Sequence, residues 1–225
     1  MNKTNLLSIA LLSTLSLGAL SLGAHSAELA NSDAQSAKLP FGTTVNHMYD
    51  LGSKSKVNRA SSKLTRDFGE LCISTNTAEL PVGAYTNWWM VFNNPEFCEN
   101  PRGFGGSKCG GPDVANPDVD ATVMWSAAGI VNADTKGHFS SCLAEGELSH
   151  YVLMGTGSGL TDSQKAEIQL VVRYHGPVDA MDATLLGEQL TSFSGGCANE
   201  AEGIEGHECN NLQVTIHSPA ASKNR

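Results

Sequence analysis

Six cysteines, with no close Cys-x-x-Cys pair among them, set the strongest limit on what this chain can fold into: Cys72, Cys98, Cys109, Cys142, Cys197 and Cys209. An even number spread this way reads as a disulfide framework, because zinc ribbons and fingers draw their thiolates from closely spaced pairs. Many pairings are open to six cysteines. The two short spacings favour Cys98–Cys109 and Cys197–Cys209 as loop staples, which leaves Cys72–Cys142 to join two strands. Each short staple contributes about 3 kcal/mol, chiefly by restricting the unfolded chain.

Disulfides persist outside the reducing cytoplasm, and the start of the chain fits export. Lys3 precedes an apolar run from Leu6 to Leu22, and small residues follow in "GAHSAE". That is the pattern of a secretory signal peptide over residues 1–27, cleaved near Ser26 or Ala27. A secreted or periplasmic protein is expected. No later segment is apolar for long enough to span a bilayer, so no membrane span is expected in the mature chain.

Charge divides the remainder. Residues 28–66 carry six Lys/Arg and three Asp/Glu, whereas residues 67–218 carry five Lys/Arg against twenty Asp/Glu. Phosphate backbones need positive charge, so no nucleic acid is expected as a partner of the body. The stretch "GSKSKVNRASSK" has few large apolar groups to offset its ordering entropy. Residues 28–66 therefore read as a flexible basic arm, residues 67–218 as the folded domain, and residues 219–225 as a polar tail.

Within the domain, strand-like runs recur between Gly, Pro, Asn and Asp: 69–75, 85–93, 121–131, 137–144, 149–154, 167–175 and 212–217. In "EIQLVVRYH" the residues Ile168, Leu170, Val172 and Tyr174 share one face, and Glu167, Gln169, Arg173 and His175 the other. Leu212, Val214 and Ile216 alternate with Gln213, Thr215 and His217 in the same way. A period of two is the mark of half-buried antiparallel strands. One short helix is expected within 177–193, with Asp179 and Asp182 at its positive end. The expected fold is mainly β: a disulfide-stapled antiparallel sandwich or barrel with one short helix.

Several groups compete as sites. In "AYTNWWMVFNNP", aromatic residues stand on both faces of a strand. Tyr85 and Trp89 would either join the core or form an exposed platform on which a glycan stacks. Asp113, Asp118 and Asp120, with Asn116, crowd oxygen donors into one loop, as calcium sites do, but without the EF-hand order. His175 and His217 both end strands on polar faces, and would share a transition metal if those strands met. Arg173 and His175 together are candidate ligand-binding groups at a strand end. His-x-His, His-Glu-x-x-His and Gly-x-Ser-x-Gly are all absent. With every cysteine paired, no thiol nucleophile remains.

"YTNWWMVFNNPEFC" and "AEIQLVVRYHGP", with "SGGC" after them, together resemble a group of uncharacterised exported bacterial proteins. In that group an aromatic strand runs into Asn-Asn-Pro and Cys, a Leu-Val-x-Arg-x-His-Gly-Pro strand follows, and two more cysteines close the domain. The resemblance covers roughly 68–217 and implies no activity. The position of Gln169 is often His in the group, so a metal role there would be weakened here. The leading expectation is a secreted or periplasmic, non-catalytic binding or structural module, with a glycan or cell-envelope component as partner and no cofactor. The alternatives are a calcium or transition-metal protein and a hydrolase with a non-standard site.

Overall fold

The computed structural model describes residues 42–178 and 182–220. The expected signal peptide, residues 28–41 of the expected arm and residues 221–225 of the expected tail lie outside the described residues.

Nine strands form one antiparallel sheet in the order β6-β3-β2-β1-β9-β8-β4-β5-β7, curled into a half-barrel. They are β1 (Gly42–Asp50), β2 (Lys56–Asp67), β3 (Glu70–Asn76), β4 (Gly83–Phe92), β5 (Ala121–Val131), β6 (His138–Ala144), β7 (Val152–Gly155), β8 (Glu167–Tyr174) and β9 (Asn210–His217). The helix α1 spans Ala183–Thr191, inside the expected 177–193, and starts where the Asp182 side chain accepts the Leu185 amide at 2.9 Å; Asp179 lies outside the described residues. Among the described residues, no helix is long and apolar enough to cross a membrane. All three expected disulfides are present: Cys72–Cys142, Cys98–Cys109 and Cys197–Cys209.

The basic arm is the main correction. Residues 42–66 are not an arm; they supply β1 and β2, which sit between β3 and β9 inside the sheet. Along β2, Val57, Ala60, Ser62, Leu64 and Arg66 are buried while most of the residues between them face outward. Strand pairing on both edges supplies the stability that apolar content does not.

Both faces of the middle strands are covered. Leu64, Leu71 and Ile73 meet Trp89, Met124 and Leu170 from strands that are not neighbours in the sheet, so this is the concave face. A second apolar layer, with Met48, Leu80, Tyr85, Phe139 and Val172, continues the interior. On the convex face Trp88, Met90, Phe92, Val171 and Ile216 lie under segment 95–119, Tyr151 and Phe193. Segment 95–119 has no long element. It folds as short 3-10 turns at Pro95–Phe97, Gly111–Ala115 and Pro117–Val119, pinned by Cys98–Cys109.

Arg66 fixes one end of this arrangement. Only 1% exposed, its guanidinium donates to the carbonyls of Ser163, Ala166 (3.0 Å), His217 (3.4 Å) and Ser218 (2.9 Å). One side chain thus ties the end of β2 to the approach to β8 and the exit from β9. Burial pulls its pKa down to about 10, partly offset by the nearby charge of Asp162. Arg66→Met would leave those carbonyls without their donors, and is expected to cost about 3 kcal/mol. Urea unfolding measures it; a midpoint unchanged from the parent would show that the clamp carries no stability.

Candidate functional site

The strand end "RYHGP" builds a closed cluster. Beyond β8 the ladder continues through His175 N to Ala84 O and Ala84 N to Gly176 O, both 2.9 Å. Gly176 then turns at φ +93°, where a Cβ would lie 2.4 Å from the His207 ring, so only glycine fits. Tyr174 points to the concave side and packs on Tyr85 with ring centres 5.2 Å apart, as the alternation implies. Arg173 and His175 point to the convex side, but they are not a wet face. His175 is fully buried, because α1 and the segment after it fold over it.

Every polar atom of the His175 ring is engaged. Nδ1 donates to the Gly195 carbonyl at 2.9 Å. Nε2 then accepts from the Thr86 hydroxyl at 2.6 Å, and that oxygen accepts the Trp88 indole N–H at 2.7 Å. Burial drives the pKa of His175 down to about 4; the Gly195 bond opposes this and the Arg173 charge adds to it. Arg173 lies 3.8 Å over the Phe193 ring and donates to Phe193 O (2.8 Å) and Asn211 Oδ1 (3.1 Å). Burial also lowers the pKa of Arg173 to about 10. The two side chains do converge, not on an open pocket but on the sulfur of Cys197, at 3.8 Å from each.

His217 belongs elsewhere. It pairs with Ile168 at the other end of β8, roughly 23 Å from His175 at the usual rise of a strand. It is buried and faces the concave side, with Nδ1 2.8 Å from Thr44 Oγ1 and Nε2 3.0 Å from Ser62 Oγ. Burial, reinforced by Arg66, drives its pKa down to about 3. A metal shared by His175 and His217 is therefore ruled out by geometry. The sequence shows strand ends on a polar face, but not that the curl and the loops cover both ends.

The aromatic platform does not exist either. Tyr85 is 0% exposed and Trp89 1% exposed, both in the concave core, so neither can stack on a glycan. Aromatic residues on both faces of β4 reflect a strand buried on both sides. The acidic loop does not gather around a cation. The Asp113 carboxylate accepts the amides of Gly110 (2.8 Å), Glu99 (3.0 Å) and Asn100 (3.1 Å), and the Asn100 side chain (2.8 Å). Burial alone would raise the pKa of Asp113, but these bonds outweigh it and hold the group below the usual carboxylate range. Asp118 is exposed. Asp120 instead receives Thr156 Oγ1 (2.6 Å) and Asn93 Nδ2 (3.1 Å). Among the described residues, Asp113 groups with Cys98 and Cys109 rather than with Asp118 and Asp120.

Gln169 also has a structural task. Its Oε1 accepts from Arg102, and its Nε2 reaches Cys109 O and Glu167 Oε1, each at 2.9 Å. Glu167 in turn accepts the amides of Lys108 (2.9 Å) and Cys109 (3.2 Å), which seats the Cys98–Cys109 loop on the sheet.

One open cleft lies at the rim. It has a volume of about 560 Å³ and is lined by Asn58, Arg59, Ala78, Glu79, Thr135 and Lys136, from β2, the β3–β4 loop and the β5–β6 turn. Arg59, Glu79 and Thr135 all have φ near +59°, a backbone conformation uncommon for non-glycine residues and an outlier for a β-branched one. Among the described residues, no ion pair engages Arg59 or Lys136. A smaller cleft of about 230 Å³ lies where β5 and β6 face each other, beside Glu147 and the mutually tilted rings of Trp125 and His150, whose centres are 4.7 Å apart. Neither cleft is legible in the sequence: "VNRA" and "NADTKG" look like linker and turn, and a left-handed Arg or Thr carries no signature.

The buried imidazoles set a pH dependence. Both ionise near 6.5 when unfolded but stay neutral in the fold down to about 4 and about 3. Between those values the unfolded chain binds more protons, so stability present above pH 6.5 is lost as pH falls. Each histidine is expected to contribute about 2 kcal/mol of loss between pH 6.5 and 5. Denaturant titrations across that range check it, and His217→Gln should remove its share of the slope; a flat profile in the parent would contradict it. Comparison with family models, with curated proteins and with solved structures gives no match for this chain.

Proposed function

We propose that the chain is an exported, non-catalytic binding module of the cell exterior or envelope, and that its ligand is an acidic glycan held in the rim cleft. The observation that carries this reading is the pair of unpaired cations, Arg59 and Lys136, in the cleft of about 560 Å³. They stand beside one carboxylate, Glu79, on a domain whose residues 67–218 carry twenty Asp/Glu against five Lys/Arg. Arg59 and Lys136 suit carboxylates, while Asn58, Glu79 and Thr135 suit sugar hydroxyls. Backbone strain in three of the lining residues adds support, since such conformations cluster at binding sites. Export through the leader at residues 1–27 agrees with the three disulfides and with the resemblance to exported bacterial proteins.

Calorimetric titration with an oligogalacturonide tests the reading, with a neutral oligosaccharide of the same length as control. Binding is expected for the acidic sugar, weakening with salt. The double variant Arg59→Ala, Lys136→Ala should lose about tenfold or more in affinity, with an unchanged unfolding midpoint because both side chains are exposed. Equal affinity in parent and variant, or no heat from the acidic sugar, would refute the reading.

A further inference from the structure

The three disulfides stand in different surroundings. Cys72 and Cys142 are directly opposed residues of β3 and β6, with paired residues on either side of them. Cys109 is fully buried, and its amide is bound to Glu167. Cys197–Cys209 closes segment 198–208, almost all of it exposed, which carries Glu200, Glu202, Glu205 and Glu208. Backbone bonds from Ala198 N to His207 O (2.9 Å) and His207 N to Gly196 O (2.8 Å) tie the base of this loop. Beneath the bridge lie the two groups from the end of β8. Cys197 Sγ is 3.8 Å from Arg173 Nη2 and 3.8 Å from His175 Nδ1, and Cys209 Sγ is 4.0 Å from the same nitrogen.

We propose that Cys197–Cys209 is a thiol–disulfide exchange site, with Arg173 as the group that receives Cys197 as a leaving thiolate. A thiolate of an external protein dithiol attacks Cys209 Sγ. The bond between the two sulfurs breaks, and its electron pair goes to Cys197. The negative charge then forms beside the guanidinium of Arg173, while the attacker and Cys209 share a mixed disulfide. The second thiol of the dithiol, as its thiolate, displaces Cys209. The protein pair is thereby reduced by two electrons and the dithiol is oxidised to a disulfide, with protons supplied by the dithiol's two thiols. A leaving thiol of lowered pKa leaves faster, and a neighbouring cation lowers it. Reduction opens the ring that holds the acidic loop, and reoxidation restores it. This proposal stands on the Cys197–Arg173–His175 geometry and is independent of the rim cleft.

Timed exposure of the oxidised protein to dithiothreitol, followed by alkylation and peptide mass spectrometry, reads each pair separately. Cys197–Cys209 is expected to open about tenfold faster than Cys72–Cys142, which serves as the internal reference. Arg173→Gln should slow opening of Cys197–Cys209 about tenfold and leave the reference rate unchanged, and Arg173→Lys should restore most of the rate. Opening no faster than the reference overturns the proposal. So does a rate in Arg173→Gln that is unchanged, or raised as mere loosening of the loop would raise it. If Arg173→Gln does not fold, the pH profile of Cys197 alkylation in the reduced parent decides the matter. An ionisation below the ordinary thiol range supports the site, and an ordinary one refutes it.

Discussion

The central strands of this sheet are dry on both faces, and a polar group placed on them must find its partner inside the protein. β4 is buried along its whole length, and β8 from Glu167 to Val172. A charge or amide in such a place costs several kcal/mol unless it is bonded. Arg66 meets the condition with backbone carbonyls from two segments, and so joins β2 to the chain before β8 and after β9. The curl of the sheet and the placement of these groups are one constraint, since closing the concave side is what removes the water. Not every atom meets it: both side-chain polar atoms of Asn87, buried between Tyr85 and Trp89, and Arg66 Nε, Gln164 Oε1, Gln189 Oε1 and Gln213 Oε1 have no hydrogen-bond partner among the described residues.

On the convex face the same constraint organises a segment that has almost no regular structure. Carboxylates stand in for a ladder there. Glu167 collects the amides of Lys108 and Cys109, and Asp113 those of Glu99, Asn100 and Gly110. Segment 95–119 can therefore cover Trp88, Met90 and Phe92 without strands of its own. The short disulfide limits its freedom before folding, and the two carboxylates fix its conformation after folding.

This economy of buried polar groups bears on function. The residues with the strongest chemical reputation, His175, His217, Glu167 and Asp113, are held in bonds that leave the imidazoles neutral and the carboxylates ringed by amides. Arg59 and Lys136 stand at the rim with no such engagement. The cluster at the end of β8 is the other place where chemistry stays open, because its sulfur pair is only half-buried and lies next to a cation.

The sequence by itself determined the covalent frame and the local geometry. Cysteine spacing was enough for all three disulfides, since short loops close at low entropic cost and leave one pair over. Alternation was enough for β8 and β9, and β5 begins and ends where its pattern does, because side-chain period is a property of the strand alone. Three things were decided only in three dimensions. β1 and β2 are strands because neighbours pair with them on both edges, not because their own residues are apolar. The even and odd faces of β8 are both buried, because a curled sheet has an interior and its outside is roofed by loops distant in sequence. For the same reason Tyr85 and Trp89 became core, His175 and His217 came to lie far apart, and Arg173 came to lie against a disulfide. Periodicity tells a strand's two sides apart; only packing decides which of them water reaches.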